Sequence, residues 1–109
     1  MNFTHEENAV ILYSKEGFRL AEVTFPYIDE KTVDINHTFV DASLRGQGIA
    51  GRLMAEVITE LENRSLKAVL SCSYAKKWFE KHPEYSHLKN QDQNILFYRK
   101  DQDRPEENP

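Results

Sequence analysis

The stretch LRGQGIAGRLM, residues 44–54, places three of the chain's four glycines within six positions and then turns into a helical pattern. Across residues 47–63, Ile49, Ala50, Leu53, Met54, Val57, Ile58 and Leu61 recur at the spacing of one helix face, which can pack on a sheet. Ahead of the glycines, residues 33–40 (VDINHTFV) are β-branched and aromatic, as a strand is. The glycines therefore stand at a strand-to-helix junction, where the first N–H groups of the helix have no partner within it. Glycine lets the backbone come close to a ligand and take left-handed turns, and the helix dipole adds positive potential. A tight connection needs one glycine; three favour a phosphate cradle. The Gly-Lys-Ser/Thr of nucleoside-triphosphate loops is absent, and a dinucleotide loop is not the expectation either.

The rest of the chain supplies a small domain around that junction. Its 109 residues suit one domain with one core, expected over residues 1–100. Residues 9–13 (AVILY), 18–25 (FRLAEVTF) and 33–40, joined by short connections, predict antiparallel strands, and residues 1–4 an edge strand. Residues 66–72 (LKAVLSC) predict a buried strand running parallel to residues 33–40, with the long helix as a right-handed crossover. A second helix is predicted over residues 73–82, stopped by Pro83, and a turn or helical piece over 83–88. The expected fold is α/β (α+β): a mixed, mainly antiparallel sheet with two main helices. Residues 95–100 (ILFYRK) are expected to close the sheet or dock on it, and the acidic, proline-containing residues 101–109 to form a disordered tail.

Composition narrows the partners. A net charge of -4 gives no electrostatic reason to expect a nucleic acid or an anionic membrane, so any anion site must be local. No apolar run approaches the roughly 20 residues that span a bilayer, and MNFTHEENAV lacks the basic and apolar regions of a signal peptide. A cytoplasmic monomer is the expectation. Cys72 is the only cysteine and hence a free thiol, and no Cys/His pairs stand at zinc spacing, so no metal is expected.

The residues Arg45, Gly46, Gln47, Gly48, Ile49 and Ala50 match Q/R-x-x-G-x-G/A, and HTFVDASLRGQGIAGRLM together with CSYAKKWFEKHPEY resembles the small single-domain group of GNAT N-acetyltransferases. The resemblance covers most of residues 3–88. It implies two central strands, residues 33–40 and 66–72, that splay apart at their ends, with acetyl-CoA as cofactor. Pantetheine would lie in the gap against the backbone of Phe39 and Val40, and the pyrophosphate on amides from Gly46 to Gly51, with Gln47, Ile49 and Ala50 between. It implies transfer of acetyl to an unidentified amine acceptor.

That chemistry needs a neutral amine, a route for its proton and sometimes an acid for the leaving thiolate. Members of the group that resemble N-x-x-A-x-x-x-Y carry the acid as its tyrosine. Here Cys72, Ala75 and Phe79 fall at those positions, and phenylalanine cannot donate a proton. Tyr74 is one substitute. Cys72 and His37 are the others, being expected to face each other across the gap, the imidazole as base and the thiol as partner or transient acceptor. An inert core cysteine and a strand histidine held by a neighbour are the plain alternatives. Two other functions stay open at this stage: a non-catalytic acyl-CoA binding or sensing module, and an interaction domain whose glycine turn is only structural.

Overall fold

The computed structural model describes residues 2–90. Strands β1 (Thr4–Glu6), β2 (Ala9–Tyr13), β3 (Arg19–Thr24), β4 (Tyr27–Asp29), β5 (Thr32–Ile35) and β6 (His37–Val40) precede helix α1 (Ile49–Asn63). Strand β7 (Lys67–Leu70), helix α2 (Ser73–Lys81) and a 3₁₀ turn (Pro83–Leu88) follow. The strands lie in two groups, an antiparallel β1-β2-β3-β6 sheet and a β4-β5-β7 sheet in which β5 and β7 run parallel. The mixed, mainly antiparallel sheet with two main helices is thus the observed fold. The edge strand lies over Thr4–Glu6 instead of residues 1–4, and β4 was not foreseen in the connection PYIDEKT. The closing strand expected at 95–100 and the tail at 101–109 lie outside the described residues.

The single strand expected over residues 33–40 is two strands. It breaks at Asn36, whose N–H still donates to the Thr24 carbonyl at 3.2 Å and whose side chain accepts from the Thr24 hydroxyl at 2.6 Å. One extra residue at a break reverses the alternation of side chains. Val33 and Ile35 point into the core before Asn36; Thr38 and Val40 point inward after it.

The core lies between one face of the sheet and α1. Leu53, Met54, Val57 and Leu61 of α1 are fully buried against Val10, Ala21, Val23 and Phe25. Helix α2 adds Ala75, Trp78 and Phe79, so the apolar periodicity of both helices is spent on this core. No helix among the described residues is long and apolar enough to cross a membrane.

A polar latch joins β1 to α1. His5 Nε2 meets Glu56 at 2.7 Å and Nδ1 meets Glu60 at 2.5 Å, while Arg64 pairs with Glu60 at 3.1 Å. Partial burial pulls the His5 pKa down, but the hydrogen bonds and charges of Glu60 and Glu56 outweigh it and raise the pKa above its usual 6.5. Burial pushes the Glu60 carboxyl up, yet His5 and Arg64 hold it below its usual value. A raised histidine pKa contributes stability that is complete below the unfolded value and fades as pH rises through the folded one. The lowered Glu60 pKa confines that contribution to pH above the carboxylate range. The melting-temperature gap between wild type and His5→Gln is therefore expected to be widest between about pH 5 and 6.5 and to close at higher pH. Thermal denaturation across pH measures it; a gap independent of pH contradicts the latch.

Candidate active site at the splayed strands

The junction between β6 and α1 is built by short-range bonds. Asp41 caps the 3₁₀ turn Ala42–Leu44, accepting from the Ser43 N–H at 3.0 Å and the Ser43 hydroxyl at 2.6 Å. Those bonds hold the exposed Asp41 carboxyl below its ordinary pKa. Arg45 Nε then donates to the Val40 carbonyl at 3.3 Å, folding the chain back over the end of β6. Gly46 and Gly48 have φ of 83° and 75°, left-handed values that cost a side-chain-bearing residue strain. Gly48 is also the N-cap of α1 and offers no side chain to bond the first turn.

The helix begins with its donors open. Its first backbone bond runs from Arg52 N–H to Gly48 O at 3.2 Å, and the amides of residues 46–51 have no acceptor among the described residues. No acidic residue occupies the first turn. Successive amides flanked by left-handed glycines make a concave anion site, reinforced by the helix dipole. The cavity there holds about 170 Å³ and is lined by Val40, Leu44, Arg45, Gly46, Gly48, Ile49, Ala50, Gly51 and Tyr74. Of the residues expected to hold the cofactor, Phe39 and Gln47 are not in that lining. Phe39 is 37% exposed and pairs with Glu22 through its backbone.

The glycine spacing deserves a correction of its own: 46, 48 and 51 do satisfy GxGxxG, so spacing alone does not set a dinucleotide loop aside. Topology does. The strand leading into this turn pairs antiparallel with β3, whereas the dinucleotide motif opens a βαβ unit in a parallel sheet.

Beyond the cradle the sheet splits. Strands β5 and β7 stay paired up to Ile35 and Leu70, and the Ser71 and Cys72 amides both donate to Ile35 O, at 3.1 and 3.0 Å. Buried Asp34 fastens this point by accepting from the Ser71 N–H at 3.2 Å and the Ser71 hydroxyl at 2.9 Å. From there β6 follows β3, and among the described residues no strand meets its other edge. Cys72 starts α2 on the far side of the gap, with its Sγ 3.3 Å from Thr38 Oγ1.

His37 is not the residue that Cys72 faces. Its Nε2 lies 3.3 Å from Glu22 on the opposite face of the sheet, where Glu22 also binds Arg19. The physical reason is the break at Asn36: uninterrupted alternation from Val33 and Ile35 would have turned His37 inward, and the extra residue gives that place to Thr38. The signal that was missed is the polar pair Asn36-His37 inside an otherwise apolar strand. Phe79, at the position of the family's acid, is 2% exposed and packed in the core. Burial first, and the nearby Cys72 second, raise the Tyr74 pKa, so its phenol stays protonated at neutral pH.

A splayed α/β sheet with open amides where the gap meets a helix defines an acyl-CoA-binding type of domain. The family model for GCN5-related N-acetyl-transferases matches residues 7–88, and the chain belongs to that family. "Protein NATD1" of Xenopus tropicalis is 36% identical over 58% of this chain and 58% of its own; the matched segment thus spans less than two thirds of that relative. Among solved structures, a GCN5-like protein from Staphylococcus aureus superposes with a TM-score of 0.68 at 31% identity, over 82% of this chain and 87% of that one. A GNAT family acetyltransferase from Elizabethkingia anophelis, solved with acetyl-CoA bound, shares the fold at a TM-score of 0.53 and 19% identity, over 68% and 50% of the two chains.

Proposed function

We propose that this chain is an acetyl-CoA-dependent N-acetyltransferase acting on an amine. The observation that carries the reading is the run of amides at residues 46–51, which have no acceptor among the described residues and open into the gap between β6 and β7. In this reading the CoA diphosphate lies on those amides, pantetheine follows the free edge of β6 past Val40, and the thioester lies between Thr38 and Cys72. The amine nitrogen attacks the thioester carbonyl, the C–S bond breaks, and the proton lost by the amine passes through water to the CoA thiolate. Backbone N–H groups on the free edge of β6 polarise the carbonyl, a fixed dipole that needs no side chain.

Calorimetry with acetyl-CoA, followed by acetyl-CoA consumption against small amines, amino acids and lysine peptides, tests the reading. Binding with turnover is expected. No CoA binding overturns it and leaves the glycine turn structural. Binding without turnover supports the second reading, an acyl-CoA sensing module, which is favoured by the burial of Phe79 and by the turning of His37 toward Glu22.

Within this reading Cys72→Ala and Thr38→Val are expected to lower kcat about tenfold or more while changing acetyl-CoA affinity little, because they border only the reacting end. His37→Ala serves as the comparison: equal turnover in that variant separates the two faces of the sheet, and a matching loss would restore the imidazole as base. If Cys72 only packs, its replacement instead costs stability of about 1 kcal/mol with turnover per folded molecule unchanged.

A further inference from the structure

The cradle has a side-chain half on α2. A Cβ added at Gly51 would stand 3.7 Å from the Tyr74 hydroxyl and 3.8 Å from Trp78 Nε1, so both polar atoms aim at the first turn of α1. Neither has a hydrogen-bond partner among the described residues. Trp78 is only 8% exposed, and a buried N–H without an acceptor is disfavoured unless something binds it. Its ring is fixed by stacking on His82 at 3.9 Å and on Tyr85 at 5.8 Å, so the N–H cannot swing away to solvent.

These atoms open onto a groove of about 570 Å³ between α1 and the α2 end, continuous with the cradle through Gly48, Gly51 and Tyr74. Arg52 and Lys81 bring positive charge to its walls, Glu84 one negative charge, and Tyr85 an aromatic wall. Hydrogen-bond donors beside a helix start, two cations and an aromatic surface are the chemistry that receives a phosphorylated purine nucleoside. We infer that this groove takes the 3′-phosphorylated adenosine end of acyl-CoA: Trp78 Nε1–H and the Tyr74 hydroxyl donate to the diphosphate, and Lys81 and Arg52 select for the 3′-phosphate. This rests on the acetyl-CoA reading and adds to it the residues that distinguish CoA from its 3′-dephospho form.

The chain's single tryptophan gives one indole N–H resonance, which makes the test direct. Acetyl-CoA and adenosine 3′,5′-bisphosphate are each expected to move that resonance downfield in a saturable titration, and 5′-AMP to do so only at about tenfold or higher concentration. Trp78→Phe keeps an aromatic ring in the stack and is expected to weaken acetyl-CoA about five- to tenfold. The Arg52→Gln, Lys81→Gln double variant is expected to bind acetyl-CoA and 3′-dephospho-acetyl-CoA alike, at the wild-type affinity for the latter. Tight acetyl-CoA binding with a stationary indole resonance, or with no preference for the 3′-phosphate in wild type, overturns this inference and leaves the acetyl-CoA reading standing. An absence of any CoA binding overturns both.

Discussion

Gly51→Glu is expected to lower acetyl-CoA affinity by about a hundredfold or more while the protein stays folded. Gly51 lies within the first turn of α1 at ordinary helical angles, so a side chain there strains nothing, and a Cβ finds only ordinary contacts at 3.7 and 3.8 Å. A carboxylate in a first turn is favourable toward the helix dipole, and glutamate is a better helix former than glycine. The same carboxylate occupies the open amides itself and repels the phosphate. The change therefore separates binding from folding, which Gly48→Glu does less cleanly because φ at Gly48 is 75°. Calorimetry beside thermal denaturation reads both. Unchanged affinity in a folded Gly51→Glu variant contradicts a phosphate at this turn.

Leu53→Ala is expected to cost about 2 to 5 kcal/mol. Leu53 is fully buried in the cluster that joins α1 to β2 and β3. Domains of this size hold roughly 5 to 15 kcal/mol in all, so the variant should melt some ten degrees or more below wild type. Because α1 also presents the open amides, acetyl-CoA affinity should return once the measurement is made cold enough for the variant to be fully folded. A melting temperature within a degree or two of wild type would mean that α1 does not carry the core.

The elements that were legible are those with a strong local signal. The period of α1 runs over four turns of apolar residues, and the glycines mark its start to within two residues of Ile49. The parallel pairing of residues 33–35 with 68–70 follows from the strand-helix-strand order, and is observed. The acceptor side of the site was less legible for one identifiable reason. Side-chain direction in a strand depends on counting residues by twos, and a break such as that at Asn36 is settled by tertiary contacts with Thr24, which no local pattern announces. Hence His37 was expected in the gap and Thr38 was not singled out. The Trp78 N–H escaped for a similar reason: an apolar helix face announces burial but not which ring atom is left without a partner.

The most direct measurement is the amide spectrum of the labelled protein during titration with acetyl-CoA. If the diphosphate lies on the turn into α1, the amide protons of Gly46, Gly48, Ile49, Ala50 and Gly51 should shift downfield together and saturate, as N–H groups do when they gain a charged acceptor. Saturable binding with these amides unmoved, or shifts confined to another face of the domain, would contradict the account.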